Sequence, residues 1–274
     1  MFLSGAAQVV EQAGRLVEVL DVRAGLELAG ALLAVLLAHE FGHYIACRLY
    51  RVDSTLPYFI PAPFIGLVGT LGAFIRIRSP IPHRRALFDI GIAGPLAGFV
   101  VCLPVLWLGI EQGRWAPLRD GGEGPGYLGE PLLFEYAALW IKGATPEGAT
   151  LSIGPLGLAA WFGLFVTALN MMPVGQLDGG HVTYALSPRR AQWVSRAGLL
   201  ACLGLLYFRP TWILWTLLLW LLARRPHPPT LDDAEPLGRG RVAVGLLGYA
   251  VFAVCFTPHP IMISWSQLFE ALGY

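Results

Sequence analysis

The chain has 274 residues, of which 55% are hydrophobic and only 14% charged, and its formal net charge is +1. An ordinary soluble domain carries about 25% charged residues, so this composition excludes a typical water-soluble domain. The near-zero charge, with no basic face anywhere, excludes a dominant nucleic-acid role.

The elements follow in chain order. Residues 6–22 mix Glu11, Arg15, Glu18 and Asp21 with Val and Leu at roughly helical spacing, which predicts an amphipathic helix at the membrane interface within an N-terminal segment 1–24. The start of the chain lacks the basic stretch and apolar core of a signal peptide. Apolar runs at 25–48, 88–110, 154–173, 194–208, 211–223 and 241–257 read as membrane spans, since a span needs about 20 mainly apolar residues. The fourth and fifth runs are short and separated only by Arg209-Pro210, which predicts a tight hairpin. The expected fold is therefore an all-α polytopic membrane protein with about six transmembrane helices.

Residues 64–78, after the rigid Pro57, Pro61 and Pro63, are apolar, punctuated by glycine and end in alternating Ile and Arg. That pattern suits strands. Strand edges cannot face lipid, so a small β-hairpin packed beside the helices is expected. The four cysteines (Cys47, Cys102, Cys202 and Cys255) form no CxxC pair and read as small buried hydrophobes.

Loop charge sets the orientation. Arg48, Arg51, Arg76, Arg78, Arg84 and Arg85 follow the first span, Arg189, Arg190 and Arg196 follow the third, and Arg224 and Arg225 follow the fifth. The second connection is acid-rich, with Glu111, Asp120, Glu123, Glu130, Glu135 and Glu147. The basic loops belong in the cytoplasm and both termini outside. Arg greatly outnumbers Lys, with Lys142 the single lysine, which points to a GC-rich bacterial genome and a bacterial cytoplasmic membrane.

Ionisable residues inside a span are functional candidates by default. The first span carries three together, in His39-Glu40-Phe41-Gly42-His43. Histidines at i and i+4 share one helical face and reach one metal, and Glu40 is placed to take a proton from a water at that metal. A catalytic zinc needs a third protein ligand. Pro173 breaks the third span, and Asp178 follows in the glycine-rich Val174-Gly175-Gln176-Leu177-Asp178-Gly179-Gly180-His181. A carboxylate on broken helix at membrane depth requires a cation or a cavity, which makes Asp178 the candidate ligand. His181 reads as a structural histidine, and His83, His227 and His259 as solvated.

At these two segments the sequence resembles the site-2 protease family of intramembrane zinc metalloproteases. The resemblance implies zinc held by His39, His43 and Asp178, Glu40 as general base, and Asn170 as the group that holds substrate or stabilises the oxyanion. Gly175 stands where many members have a second proline. Phe88-Asp89-Ile90-Gly91-Ile92-Ala93-Gly94-Pro95-Leu96-Ala97-Gly98 resembles the family's Gly-Pro helix. Residues 64–78 resemble its membrane-dipping β element, proposed to present substrate.

The implied catalytic core is 25–186, and 187–274 supplies peripheral transmembrane helices and a tail. The implied substrates are transmembrane proteins in the lipid bilayer, with an upstream site-1-type protease as a further partner. No sensing domain is evident. The alternative is a membrane zinc-binding scaffold or transporter without proteolytic activity; a transporter would show ligands repeated along a path, and a scaffold has no use for Glu40.

Overall fold

The computed structural model describes residues 7–12, 15–61, 70–118, 127–224 and 227–271. Its first element is a hairpin, β1 (Ala7–Gln12) paired antiparallel with β2 (Arg15–Leu20). The expected amphipathic helix over 6–22 is thus corrected. Val9, Val10, Val17 and Val19 favour extended backbone, and the ladder runs from Ala7 opposite Leu20 to Gln12 opposite Arg15.

Helix α1 (Val22–Leu49) begins at Asp21, whose side chain caps the Ala24 N–H at 3.0 Å. Its 28 residues reach about 42 Å at 1.5 Å per residue. Strands β3 (Tyr58–Pro61) and β4 (Thr70–Phe74) then pair antiparallel, with a register shift between Phe59 and Pro61. The expected strand region therefore holds β4, while its partner comes from the proline-containing stretch before it; residues 62–69 lie outside the described residues. Pro61 has no N–H to give a ladder, which suits the edge where pairing becomes irregular. The hairpin lies on α1, with Ala73 buried beside Leu28, Leu32 and Leu36.

Helix α2 (Arg84–Gln112) is capped by His83, whose Nδ1 accepts from the Ala86 N–H at 3.1 Å, and it continues through Pro95 and Pro104. The connection beyond it holds β5 (Arg114–Pro117), α3 (Leu132–Lys142) and β6 (Ala149–Ser152), with β5 and β6 paired antiparallel. Helix α4 (Pro155–Met171) starts on proline, where a missing N–H costs nothing. Then come α5 (Asp178–Leu186), α6 (Pro188–Phe208), α7 (Trp212–Ala223), α8 (Arg239–Cys255) and α9 (Trp265–Ala271).

Helices thus stand at all six expected spans. Three of them, α1, α2 and α6, are both long and apolar enough to cross a membrane, whereas α4 and α7 are shorter apolar helices. The described residues are mostly helical, with one small two-stranded sheet before the first helix and others between helices.

The main core joins α1, α2, α4 and α8 through Val35, Cys102, Leu106, Leu164, Ala168 and Val251. All four cysteines are buried and free. Helices α6 and α7 form the expected hairpin, packed through Cys202, Trp212 and Leu219. Their other faces expose Leu200, Leu203, Leu214 and Leu217, the surface that lipid contact requires. Between α7 and α8 the chain crosses the start of α2. There the Leu231 and Asp232 N–H groups donate to the Ile81 and Pro82 carbonyls at 3.1 and 3.0 Å, and Arg85 pairs with Glu235 at 2.7 Å.

Candidate active site

Small residues let α1 and α2 approach closely at the level of the HEFGH turn. A Cβ on Gly42 would stand 2.5 Å from the Ala93 carbonyl oxygen, and one on Gly98 would stand 3.1 Å from the His39 Cβ. A Cβ on Gly94 would stand in direct clash with the His43 ring at Nε2. The Gly-Pro helix therefore forms the floor under both imidazoles, a more direct role than general helix packing.

That floor also sets the His43 tautomer. His43 Nδ1 donates to the Ile90 carbonyl at 2.7 Å, so the proton sits on Nδ1 and Nε2 is left as a lone-pair donor aimed into the site.

The third group arrives from α5. Met172 ends α4 in extended backbone, and Gly175 turns the chain at φ 56, a conformation costly to a residue with a Cβ. The Gly175 N–H is held by Ser195 Oγ at 3.0 Å. Gly179 then packs so tightly under the Met171 and Met172 carbonyls that a side chain has no room. Asp178 emerges in the first turn of α5, where the helix dipole favours a carboxylate.

The three candidates converge. Asp178 Oδ2 lies 3.2 Å from His39 Nε2, Asp178 Oδ1 lies 3.3 Å from His43 Nε2, and the two Nε2 atoms are 3.1 Å apart. One ligand atom from each residue falls within 4.8 Å of the others. Donors about 2.0–2.1 Å from a tetrahedral zinc stand about 3.3–3.4 Å from one another, so this set fits zinc in both chemistry and spacing. Asn170, from the end of α4, brings Nδ2 to 3.3 Å from His39 Nε2. Glu40 is buried beside these groups and takes a backbone hydrogen bond from Ile75, just beyond β4. The structure thus gathers all five residues singled out in the sequence.

The remaining histidines differ in part from expectation. His181 Nδ1 and His227 Nε2 are 2.6 Å apart, and His227 stacks on Tyr184. His227 donates from Nδ1 to the Pro228 carbonyl at 2.7 Å, which leaves Nε2 to accept from His181. Burial lowers the His227 pKa, in keeping with a neutral ring. His227 is therefore a packed partner of His181 and not a solvated loop residue. His83 is the α2 cap and lies 3.3 Å from Glu235, and His259 is half-buried.

One feature was not legible in the sequence. Arg241, on α8, holds Asp89 through Nη2 to Oδ2 at 2.7 Å and Nε to Oδ1 at 2.9 Å, and Tyr50 at the end of α1 donates its hydroxyl proton to the same carboxylate. This clamp fixes the residue preceding Ile90, whose carbonyl orients His43. An ionisable pair at the starts of two apolar runs was the available signal, but nothing in the sequence links positions 89 and 241. Arg241→Gln is expected to weaken metal binding up to about tenfold while leaving the helices formed, by analogy with losses of groups behind metal ligands. Competition against a chromophoric chelator, with circular dichroism alongside, checks this.

The model of peptidase family M50 matches residues 27–205. A curated relative named probable zinc metalloprotease EGY1, chloroplastic, from Arabidopsis thaliana is 34% identical over 256 residues, covering 92% of this chain and 45% of its own length. Probable zinc metalloprotease EGY2, chloroplastic, from Oryza sativa subsp. indica is 31% identical over 246 residues, covering 86% of this chain and 43% of its own length. This chain thus spans less than half the length of these relatives. No solved structure matches it significantly. With the matched region enclosing the HEFGH helix, the Gly-Pro helix and the Asp178 segment, the chain belongs to peptidase family M50, the site-2 protease family.

Proposed function

We propose that this chain is a zinc metalloendopeptidase that hydrolyses peptide bonds in or near the transmembrane segments of membrane-anchored proteins, as in regulated intramembrane proteolysis. The observation that carries this reading is the convergence of His39, His43 and Asp178 inside the helical core, with Glu40 buried beside them. A scaffold or transporter reading leaves that carboxylate without a role.

His39 and His43 through Nε2, and Asp178 through a carboxylate oxygen, would hold the zinc. When bound, zinc polarises the scissile carbonyl and lowers the pKa of water toward neutrality. Glu40 accepts the proton of the attacking water and returns it to the leaving amine nitrogen. Asn170 Nδ2 donates a hydrogen bond to the developing oxyanion. A helical substrate hides its carbonyls in internal hydrogen bonds, so it unwinds before attack. The β3–β4 hairpin, one residue from the Ile75 contact to Glu40, offers strand pairing to the unwound stretch.

The catalytic unit is residues 25–186, within a bundle of six spans whose basic loops face the cytoplasm and whose termini lie outside. The arginine-rich loops support that orientation, and the composition supports a bacterial cytoplasmic membrane. The substrate class is transmembrane proteins, with an upstream site-1-type protease preparing them.

The test is cleavage of a model transmembrane substrate by the purified chain in proteoliposomes. Chelation is expected to abolish cleavage and stoichiometric zinc to restore it; cleavage that persists in full after the metal is stripped contradicts the reading.

A further inference from the structure

Behind the segment that presents Asp178 lies a cavity of about 380 Å³. The backbone of Gly175 and Gly180 forms part of its wall, and α6 and α7 supply Gln192, Arg196 and Arg224. Among the described residues no carboxylate lines it. Arg224 lies over the Trp220 ring at 4.5 Å, and Arg196 over Trp193 at 5.1 Å. A cation–π contact of this kind holds a guanidinium in place without using its N–H donors in an ion pair. Neither arginine makes an ion pair among the described residues. Leu199 and Trp220 continue the lining toward the exposed leucines of the α6–α7 hairpin, so a basic recess opens beside an apolar surface.

Two guanidiniums and an amide donor lining one recess, with no carboxylate among the described lining residues, are donors suited to a phosphate. We propose that this cavity binds a phosphate group, presented by an anionic phospholipid headgroup or by a soluble phosphate compound. A headgroup fits the adjoining apolar wall, where its acyl chains lie along α6 and α7. The site touches the turn at Gly175, whose N–H is tied to Ser195 on α6.

The experiment compares the purified full chain with two double variants. R196Q/R224Q removes both charges from the cavity, and R189Q/R190Q removes the same charge from exposed neighbours outside the lining. Native mass spectrometry reads retention of phosphatidylglycerol against phosphatidylcholine of equal chain length, and calorimetry reads binding of inorganic phosphate. With the phosphate held by these two guanidiniums, the wild type is expected to prefer phosphatidylglycerol at least about tenfold. R189Q/R190Q should keep that preference and R196Q/R224Q should fall to near parity. Inorganic phosphate binding without lipid selectivity, lost only in R196Q/R224Q, assigns the site to a soluble compound. Absence of both preferences, or equal loss in the two variants, overturns the proposal.

Discussion

Glu40→Gln is expected to retain the fold and its zinc while peptide hydrolysis drops by a factor of about 10² or more. The amide keeps the size of the side chain and can still accept the Ile75 hydrogen bond through its oxygen, so the buried position stays filled and satisfied. It cannot take a proton from water at neutral pH. Glu40 leaves α1 one residue after His39, and the metal set is complete in His39, His43 and Asp178, so zinc content should equal that of the wild type. An uncleaved substrate should co-purify with the variant. Single-turnover cleavage of a model transmembrane segment, with metal analysis of the same sample, gives both readings. Wild-type turnover in Glu40→Gln would remove Glu40 as the proton acceptor, and absence of cleavage by the wild-type chain itself would return it to a zinc-binding or transport role.

Gly94→Val should be the most damaging change that replaces no proposed ligand. The new side chain must enter the volume of the His43 ring, because a Cβ alone already overlaps Nε2 and its neighbours. Overpacking of a tight core costs about 1–3 kcal/mol, and here the strain falls on a metal ligand. Zinc and activity should disappear together, in contrast to Glu40→Gln. Gly30 lies on the same helix as His43, and a Cβ added there would meet nothing within 4 Å. Gly30→Ala should therefore be neutral or stabilising by up to about 1 kcal/mol. Equal zinc loss in both glycine variants would remove the floor role assigned to α2.

The helices were legible because long apolar runs bounded by Pro, Gly and Arg leave few other structures. The HEFGH spacing fixed a metal face on its own, and Asp178 was legible because a carboxylate beside Pro173 and three glycines demands a partner. The N-terminal segment was misread because Val and charged residues over six-residue stretches satisfy a helical and an alternating pattern almost equally. The expected hairpin lay within residues 64–78, whereas the partner of β4 comes from the proline-containing stretch before it, and Pro61 is tolerated there because the ladder becomes irregular. The Asp89–Arg241 clamp and the His181–His227 pair join positions 152 and 46 residues apart, and such contacts leave no periodic trace in a single sequence.

The central claim is that His39, His43 and Asp178 together hold one catalytic zinc. The most direct measurement is the zinc content and cleavage rate of the purified chain beside Asp178→Asn and His39→Ala. One zinc per wild-type chain is expected, with His39→Ala losing metal and activity at once, and Asp178→Asn losing both in proportion because a neutral amide is the poorer ligand. Full zinc occupancy and wild-type cleavage in Asp178→Asn would contradict the account.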